Sequence, residues 1–209
     1  MDSSSIFTVA GLLITAYLLG SIPSGIVMAR LISGTDVRKH GSGNIGMVNV
    51  FRAAGPVAGV ATFVLDGLKG LVPVLLGIGV GLSDWVLIAI AVAAITGHNW
   101  SIILRGKGGK GIATSVGTIG AFAPVVALIA IILWVAILIT SRYASLASLL
   151  MLGALPALLA IAGLDWPYIT FAVALFLVAA FQHRDNIQRL REGSELKIRL
   201  GSTAVRHGD

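Results

Sequence analysis

The chain contains no cysteine, which excludes disulfide frameworks, thiolate metal sites and cysteine nucleophiles. Charge is scarce too: 11% of the 209 residues are Asp, Glu, Lys or Arg, against roughly 25% in a soluble domain. That is too little to cover the surface of a water-soluble globule of this length. Acids are the rarer sign, 9 against 15 basic residues, and they are widely spaced. The four histidines are scattered and no H-E-x-x-H occurs, so a metal site is not expected, nor any other cofactor. A nucleophile elbow of the G-x-S-x-G type is missing, as are internal repeats and low-complexity tracts. The opening residues Met1–Ser5 carry an acid and no base, unlike the basic start of a cleavable signal peptide.

What is abundant is apolar surface. Hydrophobic residues make up 56% of the chain and the mean hydropathy is +0.95. Apolar segments run over residues 6–32, 56–82, 85–104, 112–140, 145–162 and 166–181, and a helix needs about 20 such residues to cross a bilayer. The composition therefore predicts an all-α polytopic membrane protein. Residues 1–209 form one helical membrane domain in this reading, with a polar tail from about residue 183.

The net charge of +6 would suggest nucleic acid in a soluble protein. Here it lies in membrane-flanking connectors, so membrane lipid is expected as a partner and nucleic acid is not. Residues 35–52, 105–110, 141–142 and the tail hold nearly all the Lys and Arg, whereas 81–84 and 163–167 hold none. Basic connectors favour the cytoplasmic side. Six spans would leave either the first basic loop or the basic tail outside. The 112–140 segment amounts to about 43 Å of helix, too long for a core of about 30 Å, and contains Pro124, which tends to break a helix. Splitting it there gives seven spans, with the amino terminus outside and the carboxyl terminus cytoplasmic. Five spans, with the weaker segments paired differently, also satisfy the charge rule.

Lys69 is the exception, a base within an apolar run. Asp66 lies three residues earlier on the same helix face. A buried ion pair is the preferred reading, and a functional ionisable site the other.

Three polar stretches converge on the expected cytoplasmic side. The first, Arg38 to Arg52, contains Gly41, Gly43 and Gly46 in a formal G-x-G-x-x-G. That motif means dinucleotide binding only between a strand and a helix, and no strand is plausible here. Its glycines still allow a tight turn that points N–H groups at an anion. Ser42, Asn44 and Asn49 add neutral polar groups, and Arg52 adds a guanidinium fork suited to phosphate. The second stretch, Arg105 to Gly111, holds Lys107, Gly108, Gly109, Lys110 and Gly111 at the start of an apolar helix, where phosphate is favoured. A plain positive anchor loop is the alternative. The third contains His183 and Asn186, three residues apart. His98, Ser145 and Ser148 lie near other inner corners, where interfacial hydrogen bonding and small-residue helix packing are strong alternatives.

Taken in order, these stretches resemble the bacterial integral-membrane acyl-phosphate:glycerol-3-phosphate acyltransferases. The similarity rests on Gly20 to Gly25, Arg38 to Gly46 with Asn49, Leu65 to Gly70, Gly97-His98 with Lys107 to Gly111, Arg142 to Leu146, and His183 to Ile187 with Gly193 and Glu195. It spans about residues 20–198. The resemblance implies a seven-helix enzyme of the bacterial plasma (inner) membrane, with its active site facing the cytoplasm. It would transfer a fatty acyl group from acyl phosphate to glycerol 3-phosphate, giving lysophosphatidic acid and phosphate, the first step of phospholipid biosynthesis. The acyl-phosphate-forming enzyme is a candidate partner. Carried onto this sequence, the family pattern puts essential roles on Ser42 and Arg52, and its third motif contributes His183 and Asn186. It puts a glycerol-phosphate site on Gly108–Gly111 with Lys110, and a structural role on Glu195. One departure stands out: family members usually carry Thr where this chain has Val48.

Read from the residues, Arg52, Lys107 and Lys110 would gather charge. Ser42, Asn44 and Asn186 would position the reacting groups, and His183 would orient or accept a proton. Asn49, His98 and Ser148 are further expected substrate contacts. Direct transfer is favoured over an acyl-enzyme on Ser42, because no hydroxyl has an obvious paired base. The competing class is a transporter or flippase for phosphorylated metabolites, which would carry charge at mid-membrane.

Overall fold

The computed structural model describes residues 3–198. Among the described residues the chain forms ten α-helices and a single 3-10 turn, and no strand. The absence of a strand beside Gly41–Gly46 removes the dinucleotide reading on structural grounds.

The first apolar run is two helices, α1 (Ser3–Ser21) and α2 (Ser24–Ser33), interrupted at Pro23. A break in an apolar run frees carbonyls that lipid cannot satisfy. Two distant side chains satisfy them here. Ser101 Oγ donates to the Ser21 carbonyl at 2.6 Å, and Lys69 Nζ donates to the Ile22 carbonyl. Lys69 is in turn neutralised by Asp66 at 2.7 Å, with both side chains buried. The expected ion pair is present, and it also caps a broken helix.

Residues 35–52, read from sequence as a basic connector, are more ordered than that. They comprise the 3-10 turn Val37–Lys39, a tight turn and the short amphipathic α3 (Met47–Ala54). Two turns of helix are too short to register as an apolar segment. The remaining helices are α4 (Pro56–Gly79), α5 (Asp84–Asn99), α6 (Ile112–Phe122), α7 (Pro124–Ser141), α8 (Ala144–Ile161), α9 (Trp166–Gln182) and α10 (Arg184–Arg191). The long 112–140 segment divides at Ala123, with Pro124 opening α7, the position where its missing N–H is harmless. α5 ends at Asn99 rather than near Leu104, because Ser101 turns inward to cap Ser21 and accepts the Leu104 N–H. α10 bends 64° away from α9, and Gly193, at φ 72°, follows its end.

Four helical stretches are long and apolar enough to cross a membrane: Ile6–Ser33 taken through its break, α4, α7 and α8. α9 with α10 makes a fifth if the bent pair counts as one span, and α5 and α6 are shorter apolar helices. The core lies between α4, α5, α6, α8 and α9, around Ile90, Ile119, Met151, Leu152, Leu155 and Leu159. α1 crosses α5 so closely that a Cβ on Gly97 would collide with the Tyr17 carbonyl, the close approach that small residues permit between membrane helices.

Lys69→Ala leaves Asp66 without its ion-pair partner and the Ile22 carbonyl uncapped. The expected loss is about 3–5 kcal/mol, seen as a lower thermal unfolding midpoint in detergent. The Asp66→Leu, Lys69→Met double variant should recover part of it. An unshifted midpoint in Lys69→Ala would refute the capping role.

Candidate active site

The glycine-rich turn folds back onto the end of α5. Gly108 N–H donates to the Asn99 carbonyl at 3.2 Å, and Gly109 N–H to the His98 carbonyl at 3.0 Å. A Cβ on Gly108 would collide with those carbonyls, and one on Gly109 with the His98 ring. These two glycines therefore serve close backbone approach, and their N–H groups are occupied within the protein. Gly111, at φ 75°, starts α6, and the turn delivers Lys110 beside it.

Lys110 Nζ donates to Asn186 Oδ1 on α10. The Asn186 amide then donates to Glu195 Oε1 at 2.6 Å, which also accepts from Ser145 Oγ at 2.8 Å. Arg189 Nε donates to Glu195 Oε2 at 2.8 Å. Beyond Glu195 the chain continues as a strap: Arg52 Nη2 donates to the Leu196 carbonyl at 2.9 Å, and Ile198 N–H to the Arg142 carbonyl at 2.9 Å. Ile198 is buried against Leu138 and Ala147. Side chains from α3, the glycine-rich turn, α8, α10 and the tail are thus tied together.

The result is one cavity. Ser42, Arg52, Lys110, His183 and Asn186 line it together with Asn44, Asn49, His98, Gly111 and Ser148. Its other end is apolar, formed by Phe63, Val116, Ile131, Trp134 and Met151. Lys107, Gly108 and Gly109 lie instead along an adjoining pocket that shares Asn44 and Lys110.

Several expected contacts are already committed elsewhere. The Asn49 amide donates to the carbonyls of Val37, His40 and Asn44 at 2.8–3.1 Å and accepts the Ser42 N–H at 3.0 Å. It holds the Gly41–Gly46 turn together. Asn44 Oδ1 accepts the Gly46 N–H at 2.8 Å at the start of α3. Ser148 Oγ donates to the Ala144 carbonyl at 2.8 Å and accepts Trp134 Nε1–H at 3.0 Å. His98 Nδ1 lies 3.7 Å from Asp66 Oδ1. Ser42 Oγ is exposed and accepts the Asn44 N–H at 3.4 Å. Val48, in place of the expected Thr, lines the cavity with an apolar side chain.

Electrostatics follow from partial burial. Burial lowers the Lys110 ammonium to about 8, against a smaller opposing pull from Glu195. Burial, reinforced by the Lys110 charge, lowers His183 to about 4, so its ring is neutral at pH 7. Its Nδ1 lies 2.8 Å from the Ala179 carbonyl. A carbonyl only accepts, so Nδ1 carries the proton and Nε2 is left as the acceptor. For Glu195 burial acts to raise the carboxyl, and hydrogen bonds from Asn186, Ser145 and Arg189 outweigh it, leaving it below its ordinary value. Ser145, Arg189 and Trp134 were not singled out as site residues from sequence. Ser145 is read there mainly as helix packing, Arg189 and Trp134 carry no local signal, and only the folded tail brings Ser145 and Arg189 onto one carboxylate.

Cations and amides at the polar end of an otherwise apolar cavity define a membrane protein with a site for a ligand that is anionic at one end and apolar at the other. Comparison with known proteins makes this specific. The chain belongs to the glycerol-3-phosphate acyltransferase family, whose model matches residues 10–193. It is 45% identical to the glycerol-3-phosphate acyltransferase of Desulforudis audaxviator over 95% of this chain and 98% of that one. It is 44% identical to the Rubrobacter xylanophilus protein of the same name, over 90% and 94%. Crystal structures of PlsY, an integral membrane glycerol 3-phosphate acyltransferase, superpose on it in their glycerol 3-phosphate and lysophosphatidic acid forms. Their TM-scores are 0.87 and 0.86, at 39% identity, each covering 92% of this chain and 96% of that one.

Glu195→Gln should loosen the strap, because a carboxamide offers only one accepting oxygen to three donors. Hydrogen exchange across residues 194–198 should speed up, with a stability loss of about 1–3 kcal/mol. In the unmodified protein the same loosening should appear on acidification. A carboxyl held below its ordinary value contributes stability above that value and loses it as pH falls through the folded one. Unchanged exchange in Glu195→Gln would contradict the latch.

Proposed function

We propose that the protein transfers a fatty acyl group from acyl phosphate to glycerol 3-phosphate, releasing lysophosphatidic acid and inorganic phosphate. The observation that carries this reading is the single cavity in which Arg52, Lys110 and His183 meet at one end and an apolar limb begins at the other. Both reactants are phosphate anions, and one carries an acyl chain.

The glycerol hydroxyl attacks the acyl carbonyl carbon. The new C–O ester bond forms, the bond from carbon to the phosphate oxygen breaks, and phosphate leaves with that electron pair. The hydroxyl proton passes to His183 Nε2 or to the departing phosphate. Lys110 and Arg52 hold the two phosphates close, and proximity of this kind is worth about 7–11 kcal/mol. Lys110 and Asn186 stabilise charge developing on the carbonyl and leaving oxygens. Asn49 acts by shaping the turn that presents Ser42 and Asn44. Among the described residues no carboxylate or imidazole hydrogen-bonds to Ser42 Oγ, which supports direct transfer without an acyl-serine.

The architecture fits a single helical membrane domain with seven spans, counting α1 with α2 as one and α4 to α9 as six. The amino terminus then lies outside and the carboxyl terminus in the cytoplasm. Basic residues at the ends of α2, α7 and α9 support a cytoplasm-facing site in a bacterial inner membrane. There an acyl-phosphate-forming enzyme would supply the donor. The transporter reading loses its mid-membrane charge, since Lys69 caps a helix break and Asp66 neutralises it.

The test is conversion. Purified protein in nanodiscs, given acyl phosphate and glycerol 3-phosphate, should yield lysophosphatidic acid by mass spectrometry. Lys110→Ala and Arg52→Ala should each lower kcat/KM by about 100-fold or more while unfolding near the parent temperature. As pH rises through about 8 the parent kcat/KM should fall, because Lys110 loses its charge, and Lys110→Arg, which stays charged, should lack that limb. Glycerol 3-phosphate uptake into proteoliposomes without conversion would overturn the reading in favour of transport.

A further inference from the structure

An acyl chain must reach the polar end of the cavity from lipid, and α7 offers the way in. Val135 lines the cavity and is 40% exposed, and its α7 neighbours Ile132 and Ile139 are exposed by 59% and 56%. Ile131, one turn earlier, lines it too. The wall of the apolar limb is therefore also a surface that lipid meets.

Trp134 stands at this wall, and its orientation is fixed. An indole in apolar surroundings needs a partner for its N–H, and Nε1 donates to Ser148 Oγ at 3.0 Å. Ser148 is itself held, since its hydroxyl donates to the Ala144 carbonyl at 2.8 Å. The tether therefore runs from α7 through Ser148 to the backbone of α8. Met151, 1% exposed and one turn along α8 from Ser148, lines the same cavity. A large, flat, tethered side chain and a fully buried one thus share the apolar part of the lining. Ser145, Glu195 and Lys110 are held by a separate hydrogen-bond network through Asn186, so the tether of the indole is independent of the groups assigned to phosphate.

We propose that the Trp134–Ser148 pair is a selectivity gate for the acyl donor: the tethered indole admits straight chains and disfavours branched ones. This rests on the acyltransferase reading and adds to it a determinant of which acyl chain is used.

The test uses the full-length protein in nanodiscs at saturating glycerol 3-phosphate. Two donors of equal carbon count, one straight and saturated and one methyl-branched near the carbonyl, are compared by kcat/KM. Trp134→Ala should raise the branched-to-straight ratio about tenfold, the size of effect one methyl group has in a hydrophobic pocket. Ser148→Ala keeps the ring but frees it, and should move the ratio in the same direction by a smaller factor. If Trp134→Ala fails to fold, Ser148→Ala decides the matter. A purely structural role would slow both donors equally, and an unchanged ratio alongside normal turnover by the parent protein would overturn the gate alone. A parent protein that converts neither donor would overturn the acyltransferase reading and the gate with it.

Discussion

The site hangs on Glu195. One carboxylate accepts from Ser145 on α8 and from Asn186 and Arg189 on α10. By using up the Asn186 N–H group it leaves Asn186 Oδ1 turned toward Lys110. Remove that carboxylate and the amide has no reason to present its oxygen to the lysine. The ammonium then loses its anchor in a setting where burial already weakens its charge. Its negative charge also balances Arg189 and supports the nearby Arg52 and Lys110, three cations that would otherwise repel one another. Glu195 is therefore a positioning residue, and the lysine it positions is the group that meets substrate.

The second constraint is the membrane's refusal to hydrate a backbone. At two places where an apolar helix ends or breaks, a distant part of the chain meets its free carbonyls. Ser101 and Lys69 do so for α1, and Gly108 and Gly109 for α5. The same requirement that stabilises the bundle thus aims the glycine-rich turn. Because the turn must pack flat against α5, Lys110 emerges at the start of α6, facing α10 and the tail. A charged side chain in a lipid-embedded protein carries a high energetic penalty, and pairing Lys69 with Asp66 is what makes its capping role tolerable.

Much of this was legible in the sequence. The apolar segments and the division at Pro124 follow from hydropathy, length and backbone chemistry. Arg52, Lys110, His183 and Asn186 were picked out by residue type and local pattern, and they line one cavity. Other features were hidden because they depend on what meets what across the chain. α3 is only two turns long, so its apolar residues Val50 and Ala54 do not stand out as a segment. Asn49 looks like a polar group available to ligand until three backbone carbonyls are found around its amide. Gly108 and Gly109 look like an anion cradle until the α5 carbonyls are seen to take their N–H groups. Ser148 resembles a packing serine or a substrate contact, and only the indole of Trp134, fourteen residues earlier, shows what it holds.

The central claim is that basic side chains from distant parts of the chain form one pocket for phosphorylated reactants. A crystal structure with glycerol 3-phosphate bound tests it most directly. A phosphate oxygen should lie within about 3 Å of Lys110 Nζ, in the cavity shared with Arg52 and His183. A phosphate held elsewhere on the bundle, with Lys110 still bonded only to Asn186, would contradict it.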